Sequence, residues 1–455
     1  MKKIITLSLV ALALFSCQKN EPEDLFGKSA SERFEEKQNE LRAALTAAEQ
    51  GWKLTYFTKE GTFGGFTFLM KFDPNGLVQM TSDIETSATP TTSKYEIQEG
   101  QGTMLTFTTK NYLHKLSDSY SEGIRGLGYL GEFQFVYYGK EGDKLKFKTQ
   151  RSGTEQFVYF EKATADEWAH IQSVTERFFN VKNNAIKYYM KVTDASGNVK
   201  EYDFIIDSYR NVTIGNISNQ QIAAHTGVVP TETGLTFYPP IVLEGKTFKT
   251  FSKEGVVSPT IYKGTSEGVT AEVLYESTPT ASHLTAADQE IAAGKIRGLV
   301  NIGEFIKPTP FYNQPIQERL CRIDAEKSFT AIRIVFISNT KVSVQIGYYF
   351  PEKEDIEYLY FNFDYTIVDK KIYLQARGIF PGATDINVWV MPKYRDVFRA
   401  AQQRIVDIKN IFFNGGVYIR KTSWRYYMLP NNPIYVLQRA NFPDEYLAFF
   451  GVMAN

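Results

Sequence analysis

The residues able to do chemistry are few and scattered. Four histidines, His114, His170, His225 and His283, are spread over 455 residues with no pair at metal-ligand spacing. No His-Glu-x-x-His is present, so zinc-protease chemistry and a metal centre have no support. No Gly-x-Ser-x-Gly elbow occurs. Cys321 lies in Arg319-Leu320-Cys321-Arg322, where two guanidinium groups would favour a thiolate and burial would oppose it. Gly126-Leu127-Gly128-Tyr129-Leu130-Gly131 matches Gly-x-Gly-x-x-Gly, but a polar loop precedes it and the apolar run Phe133 to Tyr138 follows. A dinucleotide site needs a strand before and a helix after, so no nucleotide cofactor is expected. Carboxylates are abundant without a pair that stands out, which leaves an acid/base pair of the glycosidase kind open. The stretch Tyr120 to Glu132 is the longest glycine-rich connection in its region. Its Tyr120, Arg125 and Tyr129 offer stacking faces and donors suited to a sugar or peptide, making it the candidate ligand loop.

A fifth reactive group decides where the others work. Met1-Lys2-Lys3 is followed by an apolar core from Ile4 to Phe15 and then Ser16-Cys17, a basic head and short apolar stretch that form a secretory signal too short to span a bilayer. The cysteine at its end resembles the lipobox of bacterial lipoproteins, although Phe15 and Ser16 stand where smaller residues are usual. The resemblance implies cleavage before Cys17, lipid attachment to it, and a membrane partner through that lipid. Residues 18–28 are polar and acidic and read as a flexible tether. Glu21, Glu23 and Asp24 resemble the short acidic export signals of surface lipoproteins, which implies an outer-membrane anchor facing the cell exterior.

Lys and Arg equal Asp and Glu at 51 each, so no global field draws the chain to nucleic acid. With Cys17 lipidated, Cys321 has no intrachain partner, and stability must come from packing. The 62 phenylalanines and tyrosines cluster with Thr, Val and Ile rather than at helical spacing. This composition suits pleated, half-buried surfaces and sets the class as mainly β with a few helices.

The elements repeat. Ser29 and Glu32 have capping-box spacing for an amphipathic helix from Ser29 to Gln50, stopped at Gly51. Eight short strands follow: Trp52–Phe57, Phe66–Phe72, Leu77–Met80, Lys94–Ile97, Met104–Thr108, Phe133–Tyr138, Lys144–Thr149 and Gln156–Glu161. Asp73-Pro74-Asn75-Gly76 makes the second and third a hairpin. Such a meander should curl or close on itself. At Thr164 and Glu167 the pattern restarts with a second helix and strands at Ile186–Val192, Val199–Ile206 and Val212–Ile217. Gly234-Leu235-Thr236-Phe237 echoes Met104-Leu105-Thr106-Phe107, and Lys249-Thr250-Phe251-Ser252 sits where Lys115-Leu116-Ser117 sat, a degenerate duplication with a period of about 130 residues. Pro279 to Lys327 reads as a connector in which Thr285 caps a brief helix. A third unit holds strands at Ala331–Ile337, Val342–Phe350, Tyr358–Val368 and Lys371–Ala376. A long helix at 394–413 ends at Gly415-Gly416, and strands at Val417–Arg420, Trp424–Leu429 and Ile434–Gln438 complete the unit.

The expected organisation is a signal peptide and lipobox at 1–17, a tether at 18–28, a helix plus β-meander module at 29–163, a second at 164–284, and a third β module at 285–455. The modules are antiparallel meanders of the lipocalin-like, open-barrel or sandwich kind, each with an amphipathic helix.

The runs Leu25-Phe26-Gly27-Lys28-Ser29-Ala30-Ser31-Glu32-Arg33, Gly51-Trp52-Lys53-Leu54-Thr55-Tyr56 and Gly64-Gly65-Phe66-Thr67-Phe68-Leu69-Met70-Lys71-Phe72 resemble a family of Bacteroidetes lipoproteins of unknown function. The resemblance implies a place beside SusC/SusD-like importers and a part in nutrient capture, and it supplies no catalytic residues. Two functions are expected from these readings. One is a non-enzymatic surface lipoprotein binding a nutrient, such as a carbohydrate or peptide, or an importer subunit. The alternative is an extracytoplasmic hydrolase whose carboxylates converge in three dimensions.

Overall fold

The structure, a computed structural model, describes residues 29–120, 123–124, 126–150, 156–255, 260–376 and 382–454. The mainly β, antiparallel architecture read from the sequence is what the chain adopts. Helix α1 (Ala30–Thr46) begins at the expected capping box, in which Ser29 Oγ accepts from Glu32 N and the Glu32 carboxylate accepts from Ser29 N. It ends four residues earlier than its apolar spacing indicates. Leu41 and Leu45 are its buried anchors, Ala48 lies beyond its end, and Gly51 turns the chain at φ +71°.

Strands β1 (Trp52–Phe57), β2 (Gly65–Phe72), β3 (Leu77–Ser82), β4 (Thr91–Glu99), β5 (Thr103–Phe107), β6 (Gln134–Glu141), β7 (Lys144–Lys148) and β8 (Phe157–Lys162) run up and down in sequence order. The ring closes where β1 pairs with β8, with Trp52 opposite Lys162. Closure satisfies the ladder groups that an open edge would leave bare. Inward positions carry Tyr56, Phe66, Phe68, Phe107, Phe135 and Phe147, all but inaccessible to solvent. Phe107 and Phe135 meet edge to face at 6.4 Å, as do Phe135 and Phe160 at 6.0 Å. These side chains pack the barrel interior as core. A short helix, α2 (Tyr112–Ser117), interrupts the meander between β5 and β6.

Helix α3 (Ala165–Asn183) starts at the Thr164–Glu167 capping box and buries Val174, Thr175, Phe178 and Val181. A second closed ring follows: β9 (Tyr188–Thr193), β10 (Val199–Ile206), β11 (Asn211–Asn216), β12 (Ile222–Thr231), β13 (Gly234–Leu243), β14 (Lys246–Lys253), β15 (Thr260–Ser266) and β16 (Val269–Tyr275), with β16 returning to β9. The echo between Gly234–Phe237 and Met104–Phe107 falls on the fifth strand of each ring. The second echo does not hold, because Lys115–Ser117 ends helix α2 whereas Lys249–Ser252 lies within β14. The intervening helix shifts the first ring out of step.

The stretch read as a loose connector is structured. Helix α4 (Ala281–Ala292) follows Thr280, so Thr285 lies inside it, and β17 (Ile296–Ile302) and helix α5 (Gln314–Cys321) come next. The third unit continues through β18 (Ala331–Phe336), β19 (Lys341–Phe350), β20 (Asp355–Val368), β21 (Lys371–Ala376) and the two-residue β22 (Gly382–Ala383). Helix α6 (Arg395–Asp407) precedes β23 (Val417–Thr422), β24 (Ile434–Arg439) and β25 (Tyr446–Met453). The sheet order is β19-β18-β17-β25-β24-β23-β21-β20-β22, and β19 also pairs with β20, so eight strands form a continuous ring of pairings. The long helix predicted over 394–413 is a 3-10 turn at Pro392–Tyr394, then α6, then a π turn at Ile408–Phe412. Its apolar face is as expected, with Val397, Ala401, Ile405, Ile408 and Phe412 buried in the core of this unit.

Trp424 to Leu429 is not the expected strand. Leu429 N donates to Tyr426 O, and Arg425 Nη1 donates to Thr422 O and Trp424 O, folding the segment into turns. Pro430 and Pro433 beyond it lack the ladder donor that a strand needs.

Candidate functional site

Two buried ionic contacts fasten the three units and thereby fix the surface between them. The turn from β10 to β11 places Arg210 at φ +60°, a left-handed conformation uncommon outside glycine. From there its guanidinium enters the first barrel, where Nη1 donates to Gly65 O at 2.8 Å and to Asp83 Oδ1 at 3.0 Å, and Nη2 donates to Asp83 O. The rings of Phe66 and Phe178 flank it at 4.3 and 5.1 Å. Burial pushes the Asp83 carboxyl upward, and the Arg210 charge works against that push. Gly64 N donates to Tyr209 O at 2.8 Å and Asn211 Nδ2 to Thr62 O at 2.8 Å, completing the seam between the barrels.

The second fastening joins the second barrel to the third unit. Asp203, on β10 and fully buried, accepts from Arg420 Nη2 at 2.7 Å, from Ser423 N at 2.7 Å and from His283 Nε2 at 3.0 Å. Arg420 Nη1 also donates to Ile186 O. Burial alone would raise the Asp203 carboxyl, but the His283 hydrogen bond and the Arg420 charge hold it well below the usual carboxylate range. Burial lowers His283, with Arg420 adding to the effect, so the ring is neutral and its Nε2 proton faces Asp203. Thr280 Oγ1 lies 2.9 Å from His283 Nδ1. This Thr-His-Asp chain has the connectivity of a nucleophilic triad, but its His and Asp are 1% and 0% exposed, so no substrate reaches them. Around it Ile186, Ile205, Phe311, Trp424, Ile434 and Phe450 form an apolar core shared between the two units.

Where the three units meet, a cleft of about 410 Å³ opens. The first barrel contributes Gly61 and Thr62, the β10–β11 turn Asp207, Ser208 and Tyr209, and β11 and β12 contribute Asn211, Thr213, Ile222 and His225. Pro308 and the segment Trp424-Arg425-Tyr426-Tyr427 form the far wall. Asp207 is 8% exposed, and its Oδ1 accepts from Tyr209 N and Asn211 N, each at 2.9 Å. Burial raises its pKa to about 6, with those two backbone donors pulling the other way. Asn211 Oδ1 is buried without a hydrogen-bond partner among the described residues. Thr213 Oγ1 lies 3.0 Å from His225 Nδ1, and desolvation lowers the His225 pKa although the side chain keeps an exposed edge. Desolvation likewise lowers Arg425. Tyr427 is 72% exposed at the rim. Rigid aromatic faces beside neutral and charged hydrogen-bonding groups in a preformed hollow are the makings of a small-molecule site.

The residues singled out from sequence do not gather here. Tyr120 is 98% exposed, while Tyr129 is buried, its ring packed edge-on against Phe63 at 5.3 Å and Phe66 at 4.9 Å. Tyr129 belongs to the core of the first barrel, because Gly131 N donates to Leu116 O and ties the loop back onto α2. Of the expected ligand loop, Tyr129 is therefore a core residue with no free face, while Tyr120 stays exposed. Arg125 lies outside the described residues, as do Cys17, Glu21, Glu23 and Asp24. Cys321 is buried, and burial pushes its thiol up to about 12. Its neighbours do not activate it, since Arg319 pairs with Glu445 and Arg322 donates to Asp324 O. His114 stacks on Phe133 and His170 pairs with Glu232 at 3.2 Å. The cleft residues were missed because they converge from three units. One signal was available, the aromatic run Trp424-Arg425-Tyr426-Tyr427 just before Pro430-Asn431-Asn432-Pro433, which reads as an aromatic loop once the prolines are weighed.

The chain belongs to the DUF4302 family, a domain of unknown function, whose model matches residues 22–255. The match takes in the first barrel and most of the second. No curated protein matches the chain. A solved structure, of a protein with unknown function from the DUF3598 family of Nostoc punctiforme, is similar over 70% of this chain and 96% of its own, at 9% identity. Its TM-score is 0.13, too low to carry an argument about fold or function.

Proposed function

We propose that this DUF4302 member is a lipid-anchored binding protein of the Bacteroidetes outer membrane, non-enzymatic, that holds a nutrient for a SusC/SusD-like importer. The observation that carries the binding part is the junction cleft, whose wall is held by two buried ionic contacts and is therefore preformed. Preformed walls spare a binding site the ordering entropy that weakens flexible ones. The anchoring part rests on the signal sequence ending at Cys17.

The alternative, an extracytoplasmic hydrolase, draws support from Asp207, whose raised pKa suits a proton donor. A glycosidase needs a second carboxyl group about 5–10 Å away. Asp207 is the one acidic side chain lining the cleft among the described residues, which favours binding over turnover.

The test compares cells carrying the parent chain with cells carrying Cys17→Ser and Tyr427→Ala. Binding and anchoring together require that each variant slows nutrient uptake, with the Cys17→Ser chain released to the aqueous phase in detergent partitioning. Uptake unaffected by Tyr427→Ala removes the cleft from the function, and hydrolysis products lost on Asp207→Asn replace binding with catalysis.

A further inference from the structure

We infer that the junction cleft takes an oligosaccharide of two or more rings, a deduction that rests on reading the cleft as the binding site. Its walls alternate flat apolar faces with hydrogen-bonding groups. Tyr427, exposed at the rim, and the half-buried Tyr209 supply the ring faces, backed by Trp424 and Tyr426, which are themselves buried and lie nearly parallel, 23° apart with centroids at 6.3 Å. Such faces match the C–H side of a sugar ring at little cost in side-chain entropy.

The polar groups between the rings match the hydroxyl edge. Asp207 spends Oδ1 on two backbone donors, and its Oδ2 makes no hydrogen bond among the described residues. Arg425 engages only Nη1, which leaves further guanidinium donors on the cleft wall. The Asn211 Oδ1 atom, at the floor, has no partner either. Buried acceptors left unpaired cost free energy, and a ligand that brings hydroxyl donors, directly or through water, removes that cost. Asp207 and Arg425 are opposite in charge, and the hollow that continues the cleft adds Lys182 and Lys307, so the polar lining can meet hydroxyl oxygens as well as hydroxyl protons.

Length comes from a second hollow of about 240 Å³, which shares Ser208 and Pro308 with the cleft and continues past Thr309 and Tyr312. The two together form a track rather than a single socket. A peptide is the less fitting occupant, because extended peptides gain affinity by pairing with an open strand edge. Here the barrel that supplies Asp207 and Asn211 is closed on itself.

The experiment is calorimetric titration of the full chain with short oligosaccharides of glucose, galactose, mannose and xylose, with the parent monosaccharides, and with a pool of short peptides. The expected result is binding of at least one oligosaccharide, with its monosaccharide about tenfold weaker or more. Tyr427→Ala should weaken it about tenfold at unchanged melting temperature, as for a hot-spot contact, and Arg425→Ala should weaken it at least as much with some loss of stability, because its Nη1 bonds also hold the loop. Binding of peptides and of no saccharide overturns the saccharide inference and leaves the binding reading standing. Binding of neither overturns both, and saccharide binding indifferent to both substitutions overturns the placement in this cleft.

Discussion

Arg210 and Asp83, from different barrels, meet with Nη1 3.0 Å from Oδ1, at 3% and 1% exposure. Neither charge has water to fall back on, so each depends on the other.

Arg210→Met should therefore destabilise the chain by about 3–5 kcal/mol, since it strands the Asp83 carboxylate. Replacing both, as Arg210→Met with Asp83→Leu, should cost less than Arg210→Met alone. Denaturant unfolding of Arg210→Met, Asp83→Leu and the double variant checks this, and additive losses would mean the pair is not coupled.

Asp207 sets a pH dependence of known sign. Its folded pKa of about 6 lies above its ordinary 3.8, so the folded state holds the proton more tightly. The stability it contributes is complete below about pH 4 and is lost as pH rises through about 6. Asp207→Asn keeps an oxygen for the two backbone donors and has no charge to bury. The variant should match the parent at pH 4 and exceed it by about 2–3 kcal/mol at pH 7. Melting curves across that window test it, and a constant difference would point to packing instead of protonation.

Gly64 marks a close approach of the barrels. A Cβ there would press on Arg210 O and stand 2.7 Å from Val228 O, both backbone atoms with no freedom to yield. Gly64→Ala should lower stability by about 1–3 kcal/mol or more through overpacking at the seam. Gly61→Ala, three residues earlier, meets nothing within 4 Å and serves as the contrast, its cost confined to the strain of φ +72°. If Gly61→Ala proves the costlier of the two, the seam is not what constrains Gly64.

Surface display is tested on whole cells. Protease added outside should digest the chain, and alanine at Glu21, Glu23 and Asp24 should protect it by keeping it on the periplasmic side. A protected parent chain would mean an inward-facing anchor.

Much of the fold was legible because its signals are local. Capping boxes at Ser29 and Thr164, the Asp73–Gly76 turn and alternating apolar runs each act within a few residues, and the structure shows these caps, this turn and strands within a few residues of those read from the first two modules. What escaped depends on distance along the chain. Strand β17 was hidden in a proline-marked stretch, and β25 is buried on both faces over Tyr446–Phe450 and so lacks alternation. The cleft draws Thr62, Asp207 and Trp424 from sites hundreds of residues apart, and no window of sequence contains them together. Tyr129 misled because exposure was inferred from glycine-rich surroundings, whereas those glycines let the loop fold back and bury the ring.

The position of β25 bears on how the chain matures. This strand, Tyr446–Met453, is inserted between β17 and β24, with Val300 opposite Phe450 on one side and Ile434 opposite Phe450 on the other. The two barrels are contiguous in sequence, so a chain emerging N-terminus first can close each ring as its eighth strand appears. The third ring has no such order. Until residues as far as Met453 are out, β17 and β24 present unpaired flanks to one another, and one wall of the cleft waits on the same strand. A complete cleft wall should thus arise late and abruptly as the chain emerges, and a stop a dozen residues early would leave two finished barrels carrying a third unit with its sheet split open.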